Sequence, residues 1–262
     1  MPCRVAVFKS GKMKALILCG GFATRLAPIT YFVPKPLLPV GIAGKPIVEY
    51  IVADLINAGV NKMVISTNEK FSQQFKYWAK SRVNAPGISI KFVVEKGKND
   101  SEKMGQIRGI AYDIEKASID SDLAIIAGDN IYDLAIKDVI AYFNGHRKPT
   151  VVLYDTQSLQ EATKFGVVEL SGDRIVSLTE KPAQPKSTLV STGIYILPRE
   201  MLGLFAEYLN NDGINHDSMG YFVEWLIHRT EVRGYVHKGE WYDIGTLDTY
   251  KKVFDEYNAK MR

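Results

Sequence analysis

Short, entirely apolar segments alternate with helical stripes over the first 150 residues, and no other feature constrains the fold as strongly. Residues 14–19 and 123–127 are typical of the apolar segments, and residues 47–58 form a helical stripe with apolar residues four apart. Gly59 ends that stripe, as a glycine after a helix commonly does. Strands that are apolar on both faces and alternate with helices predict a parallel sheet with helices on both sides.

The rest of the first 150 residues repeats the pattern. Strands are predicted at 63–66 and 88–94. Helices are predicted at 107–114, at 136–143 and through Phe71, Phe75 and Trp78. From Thr150 onward, short strands follow one another closely, at 150–154, 167–170, 175–178 and 190–197. That spacing indicates an antiparallel or mixed portion beside the parallel core. Helices at 219–228 and 247–257 close the chain.

We therefore predict an α/β fold with a Rossmann-like, mostly parallel central sheet flanked by helices and a smaller mixed portion. No internal repeat or low-complexity linker divides the sequence. We expect one domain over residues 13–262, with a first half at about 13–148 and a second half at about 149–262. Residues 1–12 are expected to be an N-terminal extension that contributes little to the core.

Composition narrows the class of protein. With 46% hydrophobic and 24% charged residues, the chain matches soluble globular proteins. A net charge of +4 is too small and too evenly spread to indicate nucleic acid, but it suits anionic small substrates. The two cysteines, Cys3 and Cys19, form neither a disulfide framework nor a metal motif, and no apolar stretch reaches membrane-spanning length. We expect a cytoplasmic protein with no nucleic-acid or membrane partner.

The loop after the first predicted strand is the first candidate for chemistry. It places Gly20 and Gly21 beyond the carboxyl end of a parallel strand, where ligands bind in open α/β sheets. Glycine lets backbone N–H groups approach a phosphate, and Arg25 adds a planar fork of donors. The spacing is neither a Walker A loop nor a Rossmann fingerprint, so an ordinary tight turn is the better explanation of this loop taken alone.

A lysine between two prolines follows in Pro34-Lys35-Pro36. The prolines leave the backbone little freedom, so they would fix a positive charge at small entropic cost. Taken alone, this segment is explained slightly better by a proline-rich surface loop with a solvated lysine.

Together these two features resemble a known family. Residues 20–40 (GGFATRLAPITYFVPKPLLPV) are similar to the signature of the sugar-phosphate nucleotidyltransferases, closest to glucose-1-phosphate thymidylyltransferase-like enzymes, with Ala23 in place of a glycine. Further motifs follow in the family's order at 128–130 (GDN), 165–168 (FGVV), 180–182 (EKP), 191–195 (STGIY) and 241–246 (WYDIGT). Each has a structural explanation by itself, such as Trp241 in the core or Thr246 as the N-cap of the last helix. Their shared order favours the family.

The resemblance implies the nucleotide-diphospho-sugar transferase fold, with a nucleotide half at about 13–148 and a sugar-phosphate half at about 149–262. It also implies an enzyme that joins a sugar 1-phosphate to a nucleoside triphosphate and releases pyrophosphate. The attacking phosphate has a second pKa of about 6, so no strong general base is needed. The resemblance also implies Mg²⁺ as the cofactor, with Asp129 and Asp243 as its ligands.

The remaining roles that the resemblance implies fall into three groups. The catalytic group, which handles phosphates and the metal, is Arg25, Lys35, Asp129 and Lys181. The nucleotide contacts are Gly20, Gly21, Thr24 and Gly105. The sugar-phosphate contacts are Asn130, Gly166, Glu180, Lys181, Thr192 and Gly193.

The base and the sugar stay open. In the base-recognition segment, residues 104–110, Gly105 is retained but Arg108 replaces a small residue. Residues 95–103 form a charged loop where thymidylyl- and uridylyltransferases often carry a glutamine. The GDN motif favours dTTP or UTP with glucose 1-phosphate, and mannose-1-phosphate guanylyltransferase is the alternative.

Two other classes are weaker hypotheses. A non-catalytic regulatory homologue predicts damaged phosphate positions, yet Arg25, Lys35 and Lys181 are present. A glycosyltransferase predicts an Asp-x-Asp motif, but residues 128–130 supply one aspartate. A homodimer or homotetramer is left open, and we expect no appended β-helix acyltransferase domain.

Overall fold

The computed structural model describes residues 13–260 except 84, 98 and 212, and side chains as far as residue 257. The extension predicted at residues 1–12 lies outside this part of the chain. The described strands, numbered in chain order, are β1 (Lys14–Leu18), β2 (Pro39–Val40), β3 (Lys45–Pro46), β4 (Lys62–Asn68), β5 (Ser89–Glu95), β6 (Leu123–Ala127), β7 (Asn130–Tyr132), β8 (Thr150–Asp155), β9 (Gly166–Ser171), β10 (Arg174–Glu180), β11 (Leu189–Leu197), β12 (Arg233–His237) and β13 (Trp241–Asp243).

The described α-helices are α1 (Ile47–Asn57), α2 (Ser72–Arg82), α3 (Gln106–Ala117), α4 (Ile136–His146), α5 (Leu159–Ala162), α6 (Leu204–Leu209), α7 (Met219–Leu226) and α8 (Leu247–Lys260). The predicted strands and helices are all present, with bounds that differ by at most three residues. The short helices α5 and α6 carry too few turns for an apolar stripe and were not predicted. Thr246 caps α8 as predicted, because its hydroxyl accepts a hydrogen bond from Thr249 N at 3.2 Å.

One nine-stranded sheet runs through both halves in the order β5-β4-β1-β6-β11-β8-β12-β10-β9. The four strands at one end of this order, β5, β4, β1 and β6, are parallel to one another, as predicted. The next strand, β11, pairs antiparallel with β6 and joins the mixed portion to the parallel portion. The mixed portion holds five strands against four, so by strand count it is not the smaller part. This portion is mixed because β8 and β12 pair in parallel, whereas β9 and β10, which a short turn at Gly172 (φ +63°) connects, pair antiparallel.

Two hydrophobic layers cover the two faces of the sheet. Ala15 and Ile17 of β1 face the layer that includes residues of α1, α2 and α4. Leu16, between them, faces the layer that includes residues of α3, α6 and α7. Alternate residues of one strand are therefore buried on opposite sides, which explains why the strand is apolar throughout. No helix among the described residues combines the length and apolarity that a membrane span needs.

Candidate active site

An open cavity of about 840 Å³ lies at the carboxyl edge of the parallel strands and extends over the mixed portion. The predicted site residues among those that line it are Arg25, Asp129, Asn130, Gly166, Glu180, Lys181, Thr192, Gly193 and Asp243. The folded chain therefore brings together, in one cavity, motifs that are far apart in sequence.

Lys35 contributes to this edge from a short 3-10 turn, Lys35–Leu37, that follows the extended residue Pro34. Its side chain is 11% exposed, and its Nζ forms an ion pair with Asp129 Oδ2. Asp129 lies in the turn between β6 and β7. The proline-bounded lysine is thus a fixed, nearly buried charge, and the solvated-lysine alternative is wrong.

Asp243 joins Asp129 through a two-stranded ribbon. β13 pairs antiparallel with β7, which places Asp243 opposite Asn130, and Ile244 N donates to Asp129 O at 3.3 Å. Burial raises the pKa of Asp243, and the nearby Asp129 carboxylate raises it further. The positive charges of Lys35, Arg25 and Lys181 act in the opposite direction. These five side chains therefore share one electrostatic environment.

Arg25 reaches this centre from the 3-10 helix Thr24–Leu26. A β-carbon built on Gly245 would lie 3.2 Å from Asp243 Oδ2 and 3.7 Å from both Arg25 Nη atoms. The glycine thus leaves room for the Asp243 carboxylate, and the Arg25 guanidinium lies on the same side of Gly245. Ala23, just before this helix, has φ +48°, in the left-handed region where glycine is favoured. The alanine that replaces the glycine of the family signature therefore lies at a position whose backbone conformation favours glycine.

The carboxylates of Asp129 and Asp243 suit a magnesium ion. Among the described residues, no group of three or more histidine, cysteine, aspartate or glutamate side chains could hold a metal. Mg²⁺ does not require one, because it commonly takes one or two carboxylates and completes its shell with phosphate oxygens and water. A cation would also relieve the repulsion that raises the pKa of Asp243.

The mixed portion contributes Glu180 and Lys181 at the end of β10. Lys181 has φ +46°, and its N–H donates to Phe165 O at 3.0 Å. Its Nζ lies 3.8 Å from Glu180 Oε1. A β-carbon on Gly166 would lie 3.1 Å from Glu180 Oε2, so the glycine of the FGVV motif leaves room for this carboxylate.

Thr192 and Gly193 lie where the pairing of β11 with β8 is irregular. Gly193 has φ +80°, and a β-carbon there would lie 2.9 Å from the β-carbon of Ala127. The irregularity presents Thr192 O to Asn130, whose Nδ2 donates to it at 2.7 Å. Asn130 Oδ1 is buried and has no hydrogen-bond partner among the described residues. This link fixes the orientation of the Asn130 amide at the cavity wall.

The predicted nucleotide residues Gly20, Gly21, Thr24 and Gly105 do not line this cavity. A β-carbon on Gly21 would meet nothing within 4 Å, so its backbone is open to a ligand. Gly105 precedes α3, and its neighbour Gln106 does line the cavity.

An acidic pair beside the glycine loop was missed by sequence reasoning. Glu95 Oε1 accepts a hydrogen bond from Ser66 Oγ at 2.9 Å and lies 3.5 Å from the β-carbon position of Gly20. The same oxygen lies 2.8 Å from the β-carbon position of Gly109. Burial raises the pKa of the neighbouring Asp113 to about 8, and the charge of Glu95 adds to the rise. The only signal in the sequence is that Glu95 ends a strand.

Sequence reasoning did not place aromatic residues at the cavity wall, and it assigned Trp241 to the core. Trp241 packs against Tyr154 and Phe165, with ring centroids 5.5 and 5.1 Å apart. It is buried, in agreement with the expectation of a core residue, but it also lines the cavity.

Cys19 is buried and burial raises the pKa of its thiol, which agrees with a packing role and not with a nucleophile.

Comparison with known proteins identifies the family. A family model described as nucleotidyl transferase matches residues 14–260. A putative mannose-1-phosphate guanyltransferase of Sulfolobus acidocaldarius is 27% identical over 92% of this chain and 62% of its own length. The bifunctional protein GlmU of Methanocaldococcus jannaschii is 30% identical over 95% of this chain and 56% of its own length. The chain thus spans about 56–62% of the length of these relatives.

Solved structures show the same fold. A UDP-glucose pyrophosphorylase complexed with UDP-glucose superposes with a TM-score of 0.80 at 25% identity, covering 96% of this chain and 100% of that one. A putative glucose-1-phosphate thymidylyltransferase from Bacillus anthracis has a TM-score of 0.79 at 24% identity, covering 94% and 95%. These superpositions confirm the predicted nucleotide-diphospho-sugar transferase fold.

Proposed function

The chain belongs to the nucleotidyl transferase family, and from this premise we propose that it joins a sugar 1-phosphate to a nucleoside triphosphate, forming a nucleotide sugar and pyrophosphate. The family resemblance and the enzyme class expected from the sequence are confirmed at the level of the family. The observation that carries the proposal is the convergence of Arg25, Lys35 and Lys181 on the Asp129–Asp243 pair. A damaged, purely regulatory homologue would not be expected to retain that charge centre.

The reaction brings two anions together and needs no strong base. The sugar phosphate oxygen attacks the α-phosphorus in line, and the bond to pyrophosphate breaks. Lys35 holds a fixed charge near the reacting phosphorus, and Arg25 binds the departing pyrophosphate through its forked donors. Lys181 binds the phosphate of the sugar substrate. Positioning and charge neutralisation, rather than proton transfer, would supply the rate enhancement.

Asp129 and Asp243 would hold Mg²⁺, which supplies a positive charge to the phosphate oxygens of both substrates. The carboxylates themselves fix the position of that charge through the β7–β13 ribbon. Asn130 and Glu180 would hydrogen-bond sugar hydroxyls, and a ligand hydroxyl would satisfy the unpartnered Asn130 Oδ1. Gly166, Thr192 and Gly193 complete the wall around the sugar. Gly20, Gly21, Thr24 and Gly105 would contact the nucleotide through the backbone.

For the substrates, we favour dTTP or UTP with glucose 1-phosphate. Two observations support this pair, the GDN motif at 128–130 and the similarity over the whole chain to a protein solved with UDP-glucose. A cytoplasmic location and a homo-oligomeric state stay predictions.

GTP with mannose 1-phosphate is the second candidate, and the position of Glu95 favours it. Its carboxylate lies beside Gly20 of the glycine loop and accepts hydrogen bonds only. Guanine offers two neighbouring N–H donors on its base-pairing edge, whereas thymine and uracil offer one donor flanked by acceptors. A carboxylate therefore complements guanine better than it complements a pyrimidine.

Pyrophosphate release by the purified protein with Mg²⁺ tests the proposal, using a panel of dTTP, UTP, GTP, CTP and ATP against hexose 1-phosphates. Release that requires both substrates establishes the reaction, and the best pair decides between the two candidates. Nucleotide binding without release from any pair would favour a regulatory homologue. Transfer of sugar from a nucleotide sugar to an acceptor, without pyrophosphate, would favour a glycosyltransferase.

A further inference from the structure

We infer that the first turn of α7 positions the Glu180 carboxylate for the sugar, with Gly220 as the positioning residue and Gln106 as the residue that fixes this turn. The inference rests on the proposed function, because it takes Glu180 as the side chain that binds a sugar hydroxyl. Gly220 belongs to none of the motifs that carry the family resemblance, and Gln106, in the segment 104–110, has no role assigned from the sequence.

Gly220 leaves the space that the Glu180 carboxylate occupies. The Glu180 side chain is 11% exposed and lines the cavity. Its Oε2 lies so close to Gly220 that a β-carbon there would overlap it, and a β-carbon on Gly166 would lie 3.1 Å away. Two glycines thus flank the carboxylate, and Lys181 Nζ lies 3.8 Å from its other oxygen.

Helix propensity does not explain a glycine at this position. Gly220 is the second residue of α7 and is buried. Within a helix, glycine is less favourable than alanine by about 0.5–1 kcal/mol. Its φ does not lie in the left-handed region, so the backbone does not demand glycine either. A β-carbon there would overlap the Glu180 carboxylate and would lie 3.3 Å from Leu178 Cδ2, so the room needed by Glu180 is the main physical reason for the glycine.

The first turn of α7 is itself fixed to the nucleotide half. Met219 N, at the start of α7, donates to Gln106 Oε1 at 2.8 Å. Gln106 is the first residue of α3, and the next residue, Ile107, donates its N–H to His216 O at 3.0 Å. Two hydrogen bonds therefore hold the beginnings of α3 and α7 together. Ser218 completes the turn, because its Oγ accepts from Gly220 N at 3.1 Å.

Gly105 packs against the same segment from the nucleotide side. Its φ is +81°, and a β-carbon there would lie 3.1 Å from Asp217 Oδ1. Residues 216–220 consequently connect the predicted nucleotide contact at Gly105 to the predicted sugar contact at Glu180. A shift of this segment would move the carboxylate relative to the nucleotide.

The first test is Gly220→Ala, compared with Gly203→Ala as the matched control. Gly203 also stands at a helix start, with φ −64°, and a β-carbon there would meet nothing within 4 Å. We expect Gly220→Ala to raise KM for the sugar 1-phosphate about tenfold, the effect of losing one hydrogen bond, with KM for the nucleotide nearly unchanged. Gly203→Ala should change neither constant. Equal sugar KM values for Gly220→Ala and wild type would overturn the inference.

A double-mutant cycle separates positioning from general damage to the fold. Glu180→Asp shortens the side chain and withdraws the carboxylate from position 220. In that background, Gly220→Ala should change the sugar KM by less than about twofold, because the two residues are coupled. The same tenfold loss in both backgrounds would overturn the inference.

The role of Gln106 is tested by the pair Gln106→Glu and Gln106→Leu. Glutamate keeps an acceptor for Met219 N, whereas leucine removes it at similar size. We expect only the leucine variant to raise the sugar KM. Equal losses in both variants would contradict the role as an acceptor. If the wild type releases no pyrophosphate with any substrate pair, the proposed function fails and takes this inference with it. An active wild type with an unaffected Gly220→Ala variant overturns the inference alone.

Discussion

Lys35 Nζ forms an ion pair with Asp129 Oδ2 at the carboxyl edge of the sheet, although the two residues come from separate motifs. Lys35 is nearly buried, and the Asp129 carboxylate lies close enough to Asp243 to raise its pKa. The lysine therefore compensates one of two neighbouring negative charges before any substrate binds. It is also positioned to contact a phosphate that a cation held by these carboxylates would bind.

Replacing Lys35 should abolish most turnover without unfolding the protein. Lys35→Ala removes the fixed charge at the reacting phosphorus, and loss of one such electrostatic contact commonly lowers kcat by about 10²–10³. Initial rates of pyrophosphate release measure the effect, and thermal unfolding checks the fold. Lys62→Ala, at an exposed strand residue, is the control and should keep wild-type rates. Near-normal turnover of Lys35→Ala would contradict the assigned role.

Arg25 should matter most for pyrophosphate. Arg25→Ala is expected to raise KM for pyrophosphate in the reverse reaction by at least about tenfold, because a forked, charge-assisted contact is lost. Arg25→Lys should recover only part of the lost affinity for pyrophosphate, since lysine lacks the planar fork of donors. Reverse-direction kinetics measure the effect, with the half-exposed Arg82→Ala as the control. An unchanged pyrophosphate KM would place the leaving group elsewhere.

Asp243 should control the metal requirement. Asp243→Asn removes one of two carboxylates, so half-maximal activity should require at least about tenfold more Mg²⁺. A magnesium titration of the initial rate measures this shift. Asp120→Asn changes an exposed carboxylate that does not line the cavity and should leave the titration unchanged. The same magnesium dependence in Asp243→Asn and wild type would move the metal to other ligands.

Asp113 should make the protein less stable as pH rises. Its pKa is raised from 3.8 to about 8 by burial, so the folded state binds this proton more tightly than the unfolded state. The stability that the proton contributes is complete below about pH 4 and is lost as pH rises to about 8, by at most about 1.4 kcal/mol per pH unit.

Urea unfolding at pH 5, 6.5 and 8 measures this effect. Asp113→Asn does not titrate, so its free energy of unfolding should fall less over this interval than that of the wild type. Parallel pH profiles of the two proteins would show that Asp113 is ionised throughout, against this expectation.

Local patterns made the fold and most of the site predictable. Apolar strands alternating with helices predicted the parallel portion, because a strand buried on both faces needs apolar residues at every position, as Ala15, Leu16 and Ile17 show. The family motifs led us to predict a phosphate and metal site at Arg25, Lys35, Asp129, Lys181 and Asp243, and the folded chain brings these charged side chains close together.

Tertiary structure alone decided which neighbours those residues have. The sequence could not show that the mixed strands continue the same sheet through β11, since pairing between distant strands leaves no local pattern. Nor could it show that Glu95 lies beside Gly20, or that Gly220 makes room for Glu180. A glycine or a strand-end carboxylate has many local explanations. Only the folded chain brings distant segments within contact distance and fixes which explanation applies.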